Sequence, residues 1–161
     1  MASIQAAMEG ARRESDVHQL APIARDVHVW ATGVLAYYGY QEPQRPDITS
    51  GYRSPERQAE LQARWDRGDR RGLRARPASR SWHMHEIDGE PAALAWDVET
   101  DVAGFPMYQS LMRHIGRTSV ETMKVGADFS TPDVGHFALP DGGPPPSIDR
   151  TSGGGFFAGI F

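Results

Sequence analysis

The chain has 161 residues, of which 39% are hydrophobic and 24% are charged, and its formal net charge is -4. These values are typical of one globular domain of ordinary size and exclude a disordered chain. The negative net charge gives no reason to expect a nucleic-acid partner. Because the chain contains no cysteine, disulfides and thiolate ligands are excluded, and any transition metal must be bound by His, Asp or Glu. That ligand set suits zinc.

The N-terminal stretch, MASIQAAMEGARRES, lacks the apolar core of a signal peptide, and no apolar run approaches membrane-spanning length. We therefore expect a protein that is made in the cytoplasm of its host and is not inserted into a membrane.

Apolar residues recur at steps of three and four between residues 17 and 38, which predicts an amphipathic helix whose apolar stripe packs in the core. Ser15 or Asp16 is the predicted N-cap. His18 and His28 lie on this helix, and we interpret them as surface or packing residues rather than as ligands. The stripe consists of Leu20, Ile23, Val27, Trp30, Val34 and Tyr37.

Ser54 and Pro55 begin a second predicted helix, which runs to about Trp65, because serine is a common N-cap and proline a common first helical residue. The following segment is rich in arginine and glycine without an apolar period, which predicts a loop. Between Arg64 and Arg80 it contains seven arginines and two aspartates. It is either a solvated, flexible loop or a positive rim beside a cleft that attracts an anionic substrate.

The second half of the chain contains several short elements. Strand-like residues flank Asp88-Gly89, a typical tight-turn dipeptide. A third helix is predicted to open at Pro106 and to end at Gly116, and MKVGADF and HFAL are predicted strands. Helices and short strands without a regular βαβ alternation indicate an α+β fold, a small single domain with a short antiparallel sheet flanked by helices.

The C-terminal stretch from residue 141 onward is rich in proline and glycine. Such a composition is typical of a linker. We therefore assign residues 1–140 to the folded domain and residues 141–161 to a tail.

Five polar side chains supply the groups expected of a catalytic zinc site. His83, Asp97 and His136 provide three protein ligands and leave one position open for water. Asp133, three residues before the last histidine, is suited to take a proton from that water and to hand it to the leaving amine. Arg53 is suited to bind a substrate carboxylate or a polarised carbonyl oxygen.

These residues occur in an ordered set of motifs: SGYRS at 50–54, SWH at 81–83, AWD at 95–97, and GADF leading to DVGHF at 126–137. The set resembles the zinc peptidases that cut peptidoglycan stem peptides. These are the D-alanyl-D-alanine carboxypeptidases and the related L-alanyl-D-glutamate endopeptidases of phage endolysins. The resemblance covers most of the chain and implies the α+β fold of the D,D-carboxypeptidase and hedgehog type.

The resemblance also implies a role for each matched residue. His83, Asp97 and His136 would bind Zn²⁺. Asp133 would be the general base, and Arg53 would contact substrate or stabilise the oxyanion. These are the roles that the chemistry of the side chains suggests independently.

Three further residues are assigned to substrate binding: Gln58, Ser81 and His85. His83 and Asp97 are further apart here than in the compact S-x-H-x-x-G-x-A-x-D motif of the family. We expect the extra residues to fold back as a hairpin and to return the chain to the metal. The S-x-H context favours His83 over His85 as the ligand, although alternation along a strand would place both side chains on one face.

The function implied by the resemblance is hydrolysis of peptidoglycan stem peptides in the cell wall or periplasm. A chain without a signal peptide suits a phage lysin, and a single domain without a wall-binding module suits a thin, Gram-negative wall. The L-Ala–D-Glu bond is therefore the first choice and the terminal D-Ala–D-Ala bond the second.

The competing hypothesis is a virion component that keeps the peptidase fold, with or without activity. Its tail would dock into a larger assembly through Phe156, Phe157 and Phe161. The simpler interpretation of the tail is a frayed, disordered end.

Overall fold

The structure, a computed structural model, describes residues 2–119 and 122–149. These residues form an α+β fold, as predicted, with five helices beside a short antiparallel sheet. The helices are α1 (Ala2–Arg13), α2 (Ser15–His18), α3 (Pro22–Tyr37), α4 (Pro55–Asp66) and α5 (Phe105–Thr118). The strands are β1 (Ile48–Ser50), β2 (Glu86–Ile87), β3 (Glu90–Pro91), β4 (Ala95–Val98), β5 (Lys124–Val125) and β6 (His136–Ala138).

The main sheet has the strand order β1-β4-β6-β5 and is antiparallel throughout. β4 and β6 are its central strands, and Trp96 and Asp97 lie opposite Phe137 and His136. Because successive side chains of a strand point to opposite faces, Trp96 and Phe137 share one face and Asp97 and His136 the other. Trp96 and Phe137 are fully buried and pack with Tyr108 of α5 in the core.

The hairpin predicted around Asp88-Gly89 is confirmed. β2 and β3 pair antiparallel, with Ile87 opposite Glu90. Asp88 and Gly89 have φ values of 52° and 80°. A type I′ turn, which suits the twist of a β-hairpin, requires positive φ at both central residues. The extra residues between His83 and Asp97 therefore form a separate two-stranded hairpin, after which the chain enters β4.

The single helix predicted over residues 17–38 is wrong, because the chain breaks between α2 and α3. Pro22 has no N–H to donate to a preceding turn, and the N–H of Ala21 donates instead to the carbonyl oxygen of Ala93 at 2.8 Å. The N-cap of α2 is Glu14, without a side-chain hydrogen bond. The predicted caps, Ser15 and Asp16, lie inside the helix.

The predicted core stripe of α3 is only partly correct. Ile23, Trp30 and Tyr37 are 49%, 39% and 66% exposed. Compared with the predicted stripe, the buried face of α3 contains more small residues. The reason is that α3 packs against both α1 and α5, and small side chains allow helices to approach closely. His28 is buried as a packing residue, as predicted, whereas His18 is exposed. The buried positions are Ala24, Val27, His28, Val29, Ala31, Thr32, Gly33, Leu35 and Ala36.

The other helices follow their local signals more closely. Ser54 caps α4 through its Oγ, which accepts a hydrogen bond from the N–H of Arg57 at 3.1 Å. The helix predicted from Pro106 is α5, which begins one residue earlier and continues two residues beyond Gly116. The helix α1 was not predicted. Within the described part of the chain, no helix is both long enough and apolar enough to span a membrane.

The first part of the predicted tail contacts the domain. The N–H of Ser81 donates to the carbonyl oxygen of Pro146 at 2.8 Å, and the N–H of Ile148 donates to that of Ser79 at 2.9 Å. Ser147 between them is buried. The domain boundary at residue 140 stays a prediction, and the three phenylalanines of the tail lie outside the described residues.

Candidate metal centre

His83 lies on a short 3-10 turn, Trp82–Met84, and its side chain is only 2% exposed. Its Nδ1 is 2.6 Å from the carbonyl oxygen of Gly51. A carbonyl oxygen only accepts hydrogen bonds, so Nδ1 carries the proton. In the neutral ring the lone pair is then on Nε2. A backbone carbonyl that fixes the tautomer in this way is the usual support of a metal-binding histidine.

Asp97 and His136 approach this Nε2 from the sheet, where they lie opposite each other on β4 and β6. Nδ1 of His136 is 2.9 Å from Oδ1 of Asp97. Nε2 of His83 is 3.4 Å from Nδ1 of His136 and 3.5 Å from Oδ2 of Asp97. One ligand atom from each of the three residues lies within 4.8 Å of the others. The three residues predicted as ligands therefore come together and could hold a metal ion.

The chemistry of these donors fits a cation. Two ring nitrogens that face each other at 3.4 Å bring their lone pairs together, and this contact is unfavourable unless a proton or a cation lies between them. The adjacent carboxylate adds negative charge at the same point. Two imidazole nitrogens and one carboxylate are also a common three-ligand set of catalytic zinc.

The protonation states expected at neutral pH are those that a metal ion needs. Burial lowers the pKa of His83, which favours the neutral ring. Burial alone would raise the pKa of Asp97, but the interactions of its carboxylate with His83 and His136 outweigh that effect, and the pKa lies well below its usual value. Neutral imidazole and ionised carboxylate are the forms that bind metals.

Arg53 contacts the centre through Asp97. Its Nη2 is 2.6 Å from Oδ2 of Asp97, and its Nε donates to Oγ of Ser50 at 2.9 Å. Nη1 is 3.5 Å from Oε1 of Gln58, whose own Nε2 donates to the carbonyl oxygen of Ala78 at 2.8 Å. Gln58, predicted to bind substrate, is 1% exposed. The pairing of Arg53 with a candidate ligand was not predicted from the sequence.

Asp133 lies beside the centre without joining it. Its Oδ2 is 4.0 Å from Nδ1 of His136, and its side chain is 48% exposed. A tight turn holds it there: the N–H of Asp133 donates to the carbonyl oxygen of Gly126 at 2.9 Å, and the N–H of His136 donates to that of Asp133 at 3.1 Å. Gly126 is required because a Cβ at this position would collide with the carbonyl oxygen of Asp133. Asp133 thus lies where it was predicted to lie, and its role as a general base stays a prediction.

His85 points away from the centre. Its Nδ1 donates to the carbonyl oxygen of Ala92 at 2.7 Å, and its Nε2 is 3.3 Å from Oδ2 of Asp141. The expectation that His83 and His85 share one face of a strand is wrong, because the chain forms a 3-10 turn there. The preference for His83 as the ligand agrees with the structure. Substrate binding by His85 stays a prediction.

Ser81 supports the position of His83. Its Oγ accepts a hydrogen bond from the N–H of His83 at 3.2 Å. The backbones are tied further by the N–H of Arg53, which donates to the carbonyl oxygen of His83 at 2.9 Å. The segments SGYRS and SWH are therefore fastened to each other at the centre. The predicted substrate contact of Ser81 stays a prediction.

The centre opens into a cleft of about 1960 Å³. The arginine-rich segment lines one wall of this cleft with residues 72–78 and 80. Arg74 reaches across it, with Nη1 donating to the carbonyl oxygen of Val134 at 2.8 Å and Nη2 donating to Oγ1 of Thr100 at 3.3 Å. Arg76 and Arg64 pair with Asp66 and Asp69 at 2.9 and 3.1 Å. The segment therefore lies beside the cleft, and attraction of an anionic substrate by it stays a prediction.

No protein-family model matches the chain, and no match was found among curated proteins. The function is therefore argued from the chemistry of the centre and its cleft.

Proposed function

We propose that the protein is a zinc-dependent peptidase of the phage endolysin type that hydrolyses the L-Ala–D-Glu bond of peptidoglycan stem peptides. The observation that carries the proposal is the convergence of His83, Asp97 and His136 within 4.8 Å. These residues line an open cleft, and a fourth polar side chain, that of Asp133, lies 4.0 Å from one of them. Three ligands and an adjacent carboxylate are the parts of a metallopeptidase site.

Zinc is the proposed metal because the donor set contains two imidazoles and one carboxylate but no thiolate. This donor set favours zinc over magnesium or calcium, which prefer oxygen ligands. When bound, zinc supplies Lewis acidity that polarises the scissile carbonyl and lowers the pKa of a water molecule.

Asp133 is the proposed general base and acid. Its carboxylate is close enough to His136 to reach a water molecule at the centre, and its partial exposure leaves it free to move a proton. Its Oδ2 would accept the proton of the attacking water and then donate it to the departing amine. A single carboxylate can serve both steps because the second step needs the protonated form that the first step creates.

Arg53 supports the reaction in two ways. Its ion pair with Asp97, at 2.6 Å, orients the carboxylate towards the two histidines. Its guanidinium also brings a permanent positive charge next to the position of the reacting carbonyl, where negative charge develops. The hydrogen bond to Ser50 and the contact with Gln58 hold this charge in place.

The shape of the cleft favours an endopeptidase over a carboxypeptidase. The lining residues continue past the centre in both directions along β4 and β6. Thr100 and Asp101 line the cleft beyond the C-terminal end of β4, and Pro140 lines it beyond the C-terminal end of β6. A cleft that extends past the centre in both directions accommodates a chain that continues on both sides of the scissile bond.

The proposal is tested by incubating the zinc-loaded protein with Gram-negative sacculi and identifying the released fragments by mass spectrometry. We expect fragments cut between L-Ala and D-Glu. Release of terminal D-Ala alone would reassign the protein as a carboxypeptidase. No release by zinc-loaded protein would contradict a peptidase and favour the virion component with an inactive fold.

Two variants separate the metal from the base. Asp133→Ala is expected to keep zinc and to lose turnover, whereas His136→Ala is expected to lose both. Asp128→Ala is the matched control, because Asp128 is an exposed carboxylate of the same cleft that pairs with Arg113 at 2.8 Å. Wild-type turnover in Asp133→Ala would contradict the assignment of the base.

A further inference from the structure

Lys124 is the only lysine among the 17 basic residues of the chain, and it lies on the same face of the sheet as the metal centre. On β5 it is opposite Ala138 of β6, two residues beyond His136, while its neighbour Val125 is buried opposite Phe137. The Lys124 side chain is exposed and lines the same cleft as the three candidate ligands.

The distance from Lys124 to the centre suits contact with a substrate. Two residues along a strand span about 7 Å and neighbouring strands are about 4.8 Å apart, so the Cα atoms of Lys124 and His136 are about 8 Å from each other. A lysine side chain is long and flexible. Its ammonium therefore reaches groups that lie one or two bonds from an amide held at the centre.

The charge of Lys124 is not neutralised within residues 2–119 and 122–149, where its ammonium forms no ion pair. By contrast, Arg113 on the adjacent helix α5 pairs with Asp128 at 2.8 Å. Arg117, one turn further along α5, lines the same cleft. Among the described residues, this end of the cleft therefore carries net positive charge.

The opposite end of the cleft carries acidic residues. Asp47, Glu99 and Asp101 line it beyond the C-terminal end of β4. Arg74 also lies at this end, where it donates to Thr100, so the three acidic side chains are only partly offset. The cleft thus has an acidic end and a basic end, with the metal centre between them. Such a charge gradient favours one orientation of a substrate that carries a carboxylate on one side of the scissile bond.

We propose that Lys124 is a specificity-determining residue that binds the free α-carboxylate of D-Glu, immediately beside the scissile bond. The inference rests on the proposed function. In the L-Ala–D-Glu bond, D-Glu supplies the amine and L-Ala the carbonyl. The D-Glu side of the substrate therefore lies towards β5, and the L-Ala side lies towards the acidic end.

The test compares two synthetic stem peptides, one with the free α-carboxylate of D-Glu and one with that carboxylate converted to a carboxamide. Lys124→Met is expected to raise KM for the carboxylate peptide roughly five- to tenfold with little change in kcat, since one charged hydrogen bond is lost. The KM for the carboxamide peptide stays the same. Lys124→Arg keeps most of the preference, because it keeps the charge.

Arg67→Met is the matched control for the loss of one positive charge. Arg67 is exposed at the C-terminal end of α4 and does not belong to the cleft lining. It is expected to leave both KM values unchanged. An equal rise of KM in Arg67→Met would show that overall charge, rather than Lys124, attracts the peptide, and would overturn the inference.

Binding without turnover separates this inference from the proposed function. In an Asp133→Asn background, the carboxylate peptide is expected to slow acetylation of Lys124, as followed by mass spectrometry, and the carboxamide peptide is not. Cleavage of both peptides without a Lys124 effect would overturn the inference alone. No cleavage of either peptide by zinc-loaded wild type, together with no protection of Lys124, would overturn both.

Discussion

A buried histidine lies on each side of the central strands, but among the described residues only one side brings together a group that could hold a metal ion. On one face, His83 lies against Asp97 and His136 at the bottom of an open cleft. On the other, His28 is 1% exposed, and its Nδ1 is 2.8 Å from the hydroxyl of Tyr108. Burial lowers the pKa of both histidines. Burial and a lowered pKa therefore do not distinguish a ligand from a core residue.

The neighbours of each ring make the difference. Nδ1 of His83 contacts the carbonyl oxygen of Gly51. Its Nε2 lies near two further groups that can bind a metal, a ring nitrogen of His136 and the carboxylate of Asp97. Nε2 of His28 has no hydrogen-bond partner within the described part of the chain. A metal needs several converging lone pairs, and the core face supplies a single ring nitrogen.

The two faces also depend on each other. Trp96 precedes Asp97 and Phe137 follows His136, so one pair of strands carries both the core packing and the ligands. The indole N–H of Trp96 donates to the hydroxyl of Tyr108 at 2.8 Å, which anchors β4 to α5. Close packing behind the sheet therefore fixes the positions of the ligands in front of it.

Replacing the anchor of the core face is expected to have the largest effect. Trp96→Ala removes a fully buried indole and is expected to lower the free energy of unfolding by about 3–5 kcal/mol. Zinc affinity should fall as well, because β4 loses its support. Urea unfolding and zinc titration would measure the two effects. Unchanged zinc affinity in a destabilised variant would show that the faces are independent.

The buried His28 is expected to make the protein sensitive to acid. Burial lowers its pKa from 6.5 to about 4, so between these values the unfolded chain binds a proton that the folded chain does not. The contribution of the neutral His28 ring to the free energy of unfolding is therefore fully present above pH 6.5. It falls as the pH decreases, by about 2.5 kcal/mol at pH 4.5. Urea unfolding at pH 7 and pH 4.5 would measure this loss.

His28→Leu is expected to reduce that pH dependence, whatever its effect on stability at pH 7. His18→Gln is the matched control, because His18 is exposed near the start of the same helical region. An equal pH dependence in wild type and His28→Leu would contradict the assignment.

A change confined to the cleft face is expected to affect turnover without affecting folding. Arg74→Gln removes the two hydrogen bonds to Val134 and Thr100, which fasten the loop that carries Asp133. Because a small misplacement of a catalytic group is costly, turnover should fall about tenfold, with zinc affinity unchanged and stability within about 0.5 kcal/mol. Arg71→Gln is the control, since among the described residues the side chain of Arg71 forms hydrogen bonds to Asp69 alone. Equal turnover in both variants would contradict a positioning role.

The smallest expected effect contrasts two carboxylates. The pKa of Asp97 is lowered by its histidines, whereas burial and the neighbouring acids Asp47, Glu42 and Asp16 raise the pKa of Glu14 to about 7. Between pH 4.5 and 7 the unfolded chain loses the proton of Glu14 and the folded chain keeps it. The free energy of unfolding therefore decreases as the pH rises through this range. Glu14→Gln should stabilise the protein by about 1 kcal/mol at pH 8, allowing for partial solvent screening, but not at pH 4.5. Thermal unfolding at the two pH values would measure it, and a destabilised variant at pH 8 would contradict the shift.

The elements that were predicted correctly carry a local signal. Ser54-Pro55 marks the start of α4, and Asp88-Gly89 marks the hairpin, because capping and turn geometry depend on a few adjacent residues. The break before Pro22 also has a local cause, but a strong apolar period on both sides concealed it. The helix α1 has a short apolar stripe, Ile4, Ala7, Met8 and Ala11, but two of its members are alanines, so the signal is weak, and the helix packs against α3.

The candidate site was predicted as a set of residues but not as a geometry. His83 and His85 are indistinguishable by alternation, and only the 3-10 turn directs one of them to the centre. The ion pair of Arg53 with Asp97 joins residues 44 positions apart, and the contact of Arg74 with Val134 joins residues 60 apart. Such pairs depend on the tertiary fold, which has no local signature.

The most direct test of the account is the titration of zinc into four proteins by calorimetry at pH 7. Wild type, His85→Ala and His28→Leu are each expected to bind a single zinc ion with similar affinity. His136→Ala is expected to bind at least about a hundredfold more weakly, because it loses one of three ligands. Zinc binding that survives in His136→Ala but is lost in His85→Ala, or a wild-type protein that binds no zinc, would contradict the assignment of the centre.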